Sequence, residues 1–224
     1  MKNAMQEKWD MLHQQSRFRP KYPSEQVVQF VFRNFKRGKN TRILDLGCGA
    51  GRHVYFMASE KIDTYGLDIS SEGIINAQKY IENAGLNAKL KIGSVDLIPF
   101  DDNFFDGIIC YGVLYYCKKN EIQKAVNEIY RVLKKGGKGL LIVRNKSDYR
   151  FGKGIEIEQN TFIIDEQNES NRAFNENSMI MHFFERDEVE KLFDQFRYVF
   201  IDEIIETYDN GKICDSNFKI IFEK

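Results

Sequence analysis

Residues 43–51 read Ile-Leu-Asp-Leu-Gly-Cys-Gly-Ala-Gly, and their reading decides the fold. An apolar strand over 43–46 runs directly into Gly47, Gly49 and Gly51. Glycines at this spacing let the backbone turn tightly and approach a ligand closely. Asp45, near the strand end, restricts what that ligand is. A nicotinamide dinucleotide would set its pyrophosphate at this turn, where a carboxylate repels it. The last glycine of a dinucleotide fingerprint would also fall at position 52, which is Arg52. A ligand without phosphates and with a cationic end suits the loop better.

Three further motifs follow in order. Tyr65-Gly66-Leu67-Asp68-Ile69-Ser70 ends a second apolar strand in an acid, 23 residues after Asp45. Gly93-Ser94-Val95-Asp96-Leu97-Ile98-Pro99-Phe100 leads to Phe105-Asp106-Gly107-Ile108-Ile109-Cys110. Arg131-Val132-Leu133-Lys134-Lys135-Gly136-Gly137 leads into an apolar run over 139–143. With these four motifs over residues 41–143, the chain resembles the class I S-adenosylmethionine-dependent methyltransferases, and its irregular segments resemble those of the small-molecule members.

The resemblance implies S-adenosylmethionine as cofactor and S-adenosylhomocysteine as product. Asp45 would hold the methionine end, directly or through water; an unpaired carboxylate among Ile43, Leu44 and Leu46 needs such a partner. Gly47, Cys48 and Gly49 would form the loop around the ligand. Asp68, with Ile69 beside it, would accept both ribose hydroxyls. In the adenine loop the family commonly has Asp directly after the glycine, where this chain has Ser94. Either Asp96 takes the adenine amino contact, or Ser94 and the Val95 backbone make it alone. Tyr111, after the fourth strand, would face the cofactor.

The pattern around the motifs alternates strand and helix. Helices are expected over 24–35 with Ser24 as cap, from about Arg52, from Ser70 or Ser71 to near Gly85, over 121–133 and over 187–193. Strands are expected at 43–46, 64–67, 89–92, 107–110 and 139–143, a small hairpin at 155–157 and 161–164, and closing strands at 198–205 and 218–222 joined through Asp209-Asn210-Gly211. The implied fold class is α/β: a doubly wound, mostly parallel seven-stranded sheet with helices on both faces and a last antiparallel strand. One methyltransferase domain over 1–224 is expected: an amino-terminal helical arm or lid (1–40), a cofactor-binding core (41–143), a variable acceptor lid (144–186), and a closing helix and strands (187–224).

Composition narrows the class of partner. Lys plus Arg number 33 and Asp plus Glu number 33, so no global charge attracts nucleic acid or an anionic membrane. The longest nearly apolar run, 107–117, is too short to span a bilayer, and the first ten residues lack a signal-peptide core. A cytoplasmic protein without membrane contact is expected. Four cysteines at 48, 110, 117 and 214 form no C-x-x-C pair; they read as reduced packing residues, and no metal is expected.

The acceptor side offers weaker signals. Arg17, Arg19 and Tyr22 precede the first long helix, and Arg150 follows the fifth strand; with Tyr116 they are the candidate acceptor-binding residues. Guanidinium groups there would suit a carboxylate or phosphate, although each also reads as a solvated surface charge. Trp9 could pack the arm down. His182, among Met179, Ile180, Met181 and Phe183, is a candidate proton acceptor or a structural histidine. Tyr115 is the second candidate catalytic residue. His13 and His53 look less placed for chemistry. The expected reaction is methyl transfer to an oxygen or nitrogen of a small, anionic acceptor. An RNA or protein methyltransferase, a non-catalytic S-adenosylmethionine-binding protein and a nucleotide-dependent oxidoreductase are the rival readings.

Overall fold

The computed structural model describes residues 4–36, 38 and 40–224. The expected arm over 1–40 includes positions 1–3, 37 and 39, which lie outside the described residues. Strands β1 (Arg42–Leu46), β2 (Asp63–Asp68), β3 (Lys89–Ile92), β4 (Phe105–Tyr111) and β5 (Leu133–Arg144) come first in the chain. A short insertion, β6 (Ile155–Glu158), β7 (Thr161–Ile163) and β8 (Ile180–His182), precedes β9 (Tyr198–Tyr208) and β10 (Ile213–Glu223). The main sheet has seven strands in the order β3-β2-β1-β4-β5-β10-β9. Pairing is parallel from β3 to β5. β10 runs antiparallel to both its neighbours. This is the doubly wound, mostly parallel sheet expected from the motifs.

Near-continuous apolar runs fit strands that are covered on both faces. Ile43, Leu44 and Leu46 of β1 are fully buried, as are Ile108 and Ile109 of β4. Alternate strand residues divide between two cores. Leu44, Leu46, Ile108, Leu141 and Val143 meet Ile122, Val126 and Ile129 of the helix Lys119–Val132 on one face. Ile43, Ile109, Leu140 and Ile142 meet Val27, Phe30 and Met57 on the other. The helices are α1 (Ala4–Gln14), α2 (Glu25–Asn34), α3 (Arg52–Ser59), α4 (Ser71–Asn83), α5 (Lys119–Val132) and α6 (Arg186–Leu192).

Three local expectations change. Ser24 occupies the N-cap of α2, but its hydroxyl donates to Gln26 Oε1 instead of serving the helix end. β5 begins at Leu133, directly after α5, and does not wait for the glycines at 136 and 137. The small hairpin gains β8 as a third strand, with Thr161 opposite His182. α4, in contrast, is capped as its sequence indicates: Ser70 Oγ accepts from Gly73 N at 2.9 Å.

Gly51 fixes how closely α4 approaches the loop. Its φ is +87°, and a Cβ there would sit 2.8 Å from Ala77 Cβ. At the far side of the sheet, β9 is an edge strand. It exposes Phe200 and Ile205, with Asp202, Glu203 and Glu206 among them.

Candidate functional site

The carboxyl ends of the parallel strands, where ligands bind in such sheets, open into a cavity of about 510 Å³. Gly47, Cys48, Gly49, Asp68, Ile69, Ser94, Val95 and Tyr111 line it. Eight of the ten expected cofactor residues are therefore brought together. Tyr115 and Tyr116 line the same cavity.

Asp68 organises the loop. Its Oδ2 accepts from Gly49 N at 2.7 Å and its Oδ1 from Ser70 N at 2.8 Å. Each oxygen keeps a lone pair for a further donor. Burial pushes its carboxyl above the usual range, and the two backbone donors oppose that shift.

Asp45 does not line the cavity. It lies beneath the loop, 1% exposed, and its Oδ2 meets no donor among the described residues. Its Oδ1 faces His53 Nδ1 at 3.6 Å, while His53 Nε2 accepts from Ser24 N at 3.3 Å. A ring nitrogen that accepts from a backbone N–H carries no proton, so the imidazole proton is on Nδ1, toward Asp45. Asp96 is the second expected residue outside the lining; its carboxylate takes the hydroxyl of Ser94. Ser94 and Val95 are thus the residues of this loop that face the cavity.

Helix α1 supplies what sequence reading missed. Asp10 accepts from Ser70 Oγ at 2.8 Å and from Glu72 N at 3.1 Å, so it reaches across to the start of α4. His13 Nδ1 is 2.9 Å from the same hydroxyl. Ser70 gives its one proton to Asp10, so His13 donates through Nδ1 and turns a bare Nε2 toward Gly49. A Cβ on Gly49 would come within 3.2 Å of that nitrogen. Trp9 stacks on His13 with 5.6 Å between ring centres and meets Tyr116 edge-on at 5.0 Å. Trp9 and His13 are four apart on one helix, and that spacing was the available signal. Arg52, noted only as a missing glycine, also lines the cavity, its guanidinium 5.1 Å from the Tyr111 ring centre.

Burial lowers the His13 pKa from 6.5, more than Asp68 and Asp10 raise it. The unfolded chain therefore takes up this proton first on acidification. The stability tied to neutral His13 is present above about pH 6.5 and lost as pH falls toward the folded-state value. Melting curves from pH 7.5 to 5 are expected to fall in the parent chain and to flatten in His13→Gln. An equal decline in both would remove His13 as the cause.

Several acceptor-side expectations are corrected. Arg150 is 2% exposed and lies outside the cavity; it pairs with Asp148, Glu176 and Asp215. Arg17 bonds Gln15 and Asn175, and Arg19 bonds Asn76 on α4. Tyr22 is 74% exposed and points outward. His182 is fully buried between Thr161 Oγ1 at 2.8 Å and Glu188 Oε2 at 3.0 Å, which makes it a tie between β7 and α6. Of the acceptor-side residues, only Tyr115 and Tyr116 reach the cavity.

The sheet order and the glycine loop agree with the fold of the class I S-adenosylmethionine-dependent methyltransferases. Residues 43–137 match the family model of the methyltransferase domain. An uncharacterized methyltransferase of Bacillus subtilis, YcgJ, is 31% identical over 102 residues, 45% of this chain and 40% of that protein. The 24-methylenesterol C-methyltransferase 2 of Arabidopsis thaliana is 36% identical over 98 residues, 42% of this chain and 27% of that protein. The matches thus span less than half the length of these curated relatives. The crystal structure of an S-adenosylmethionine-dependent methyltransferase from Methanosarcina mazei superposes with a TM-score of 0.70 at 24% identity, covering 87% of this chain and 96% of that one. The YcgJ structure gives 0.63 at 18% identity, covering 89% and 98%. At these identities the structures speak for the fold.

The residues present fit S-adenosylmethionine. Asp45 keeps a buried oxygen without a donor, Asp68 keeps acceptor capacity at the cavity wall, and the loop between them carries no side chain larger than Cys48. Among the described residues, no cluster of His, Cys, Asp and Glu has metal-holding geometry, and no helix is long and apolar enough to cross a membrane.

Proposed function

We propose that this chain transfers the methyl group of S-adenosylmethionine to an oxygen or nitrogen of a small-molecule acceptor. One observation carries the reading: the glycine loop, Asp68 and Ser94–Val95 share a single cavity with Trp9, Tyr115 and Tyr116. One end offers acceptors and backbone to a nucleoside, and the other an aromatic wall to a second molecule.

When bound, the cofactor supplies an electrophilic methyl on a sulfonium and a neutral thioether leaving group. The protein's part is then to align two reactants and exclude water. Gly47 and Gly49, with Asp45 beneath them, shape the methionine end, Asp68 holds the ribose, and Ser94 with the Val95 backbone the adenine. α1 covers this end through Asp10 and His13. Burial raises the Tyr115 hydroxyl pKa, so it stays protonated and orients an acceptor as a donor instead of removing its proton. With Arg17, Arg19 and Arg150 engaged elsewhere, Arg52 and Lys118 are the basic side chains, apart from the two histidines, that line the cavity. The case for an anionic acceptor loses the arginines it rested on. The four cysteines are free, which suits a reducing compartment, and we place the reaction in the cytoplasm.

The test is S-adenosylmethionine with a labelled methyl group, offered with pooled small metabolites, RNA and protein in separate reactions. Label in a small molecule is the expected result. Label only in RNA or protein would move the assignment to those acceptors. Binding without transfer in any pool would leave a cofactor-binding protein.

A further inference from the structure

The aromatic wall of the cavity is held from outside it. Tyr116 O–H donates to Glu176 Oε1 at 2.7 Å. Glu176 ends a short 3-10 turn, Arg172–Glu176, sixty residues further along the chain. Its other contacts are two buried guanidinium groups: Arg144 Nη2 at 3.3 Å and Arg150 Nε at 2.5 Å. Arg144 and Arg150 are anchored in turn by Asp148, which is fully buried, and Arg150 by Asp215 of β10. Arg172 also reaches Asp215. Two buried arginines, with the exposed Arg172 at the rim, thus meet three carboxylates, which is the condition for burying such charges without large loss. Glu176 is the one member whose carboxylate also reaches a cavity residue by hydrogen bond. Arg144 lies over the Tyr115 ring at 4.8 Å, so the same framework backs both tyrosines.

Tyr116 is also where the amino-terminal arm rests. The edge-on contact with Trp9 places α1 against it, and Arg17 Nη2 bonds Asn175 Oδ1 at 3.1 Å beside Glu176.

We propose that Glu176 is a positioning residue: through the Tyr116 hydroxyl it fixes the acceptor wall and, with it, the seat of α1 over the cofactor end. The assignment of an acceptor wall rests on the methyltransferase reading; the mechanical link does not. Glu176 touches neither reactant. It converts the placement of the 172–176 turn into the placement of Tyr116, and Tyr116 passes this to Trp9.

Trp9 is the only tryptophan, so its fluorescence reports the link directly. The experiment measures acrylamide quenching of Trp9 in the ligand-free full chain, for the parent, Tyr116→Phe, Glu176→Ala, Glu176→Gln and the Tyr116→Phe/Glu176→Ala pair. Melting and S-adenosylhomocysteine calorimetry are run on each. Tyr116→Phe and Glu176→Ala should each raise the quenching constant about twofold or more, as a seat that opens locally does. The pair should add nothing beyond the larger single effect, because both break one contact. Glu176→Gln keeps an oxygen for the tyrosine hydroxyl and should restore most of the parent value. If Glu176 serves only charge balance, Gln will be as damaging as Ala and Tyr116→Phe will leave Trp9 unchanged; either result overturns the proposal. Should Glu176→Ala not fold, Tyr116→Phe alone decides, since it removes one hydroxyl. Failure of the parent to bind S-adenosylhomocysteine would refute the methyltransferase reading and leave the quenching result standing.

Discussion

Asp68→Ala is expected to lower affinity for S-adenosylhomocysteine by about tenfold to a hundredfold, which is about 1.4–2.8 kcal/mol at room temperature. The range is that of hydrogen bonds to a charged group. Two effects combine. The ribose loses its acceptor, and Gly49 N and Ser70 N lose theirs, so the loop that shapes the methionine end is no longer held at 2.7 Å and 2.8 Å. Asp68→Asn separates them. An amide can accept from one of these N–H groups but turns its NH2 toward the other, so the loop is disturbed although the ribose keeps an oxygen. Calorimetry on both variants reads the result. Parent affinity in Asp68→Ala would remove this residue from the cofactor site.

Gly51→Ala is expected to destabilise the fold by about 2–4 kcal/mol, a loss large enough to read as a melting shift of several degrees. The backbone there is left-handed, at φ +87°, a conformation that disfavours a side chain by about 1 kcal/mol or more. The new methyl would also meet Ala77 Cβ at 2.8 Å and its Cα at 3.2 Å. The Cα belongs to the backbone of α4, which does not yield as a flexible side chain does. Gly85→Ala is the control: φ is +64° there with open space around it, so strain alone is felt. Equal losses in the two variants would show that the close approach of α4 is unimportant.

The strands were legible because the information is local. Buried parallel strands read as apolar runs, and Gly47, Gly49 and Gly51 mark where the first one must turn. The cavity residues beside the glycine loop were legible for the same reason: Asp68 ends β2, and Ser94 and Val95 follow β3. The acceptor end was not. Arg150 looked free because two of its three partners, Glu176 and Asp215, lie 26 and 65 residues away. His182 sat among apolar residues with no hint of Glu188 on the following helix. α1 hid its role differently: its buried residues include Asp10 and His13, which are placed by hydrogen bonds to α4 and not by an apolar stripe. Polar side chains that fold a site together over long sequence distances leave no periodic trace. Tyr116 was marked as an acceptor residue, but its tether to a turn sixty residues on could be seen only in three dimensions.

The free edge at β9 bears on how the molecule behaves at high concentration. An outer strand presents unsatisfied N–H and C=O groups to any similar strand, and an apolar one invites stacking of copies. Here Phe200 and Ile205 would supply the adhesive, but Glu203 and Glu206 stand between and beside them, while Asp202 is paired with Lys219. Two such edges brought together set carboxylates against carboxylates across a gap of about 5 Å, where like charges oppose pairing. The acids act as gatekeepers against self-association, and the protection weakens in acid, when they are protonated, or in high salt, which screens them.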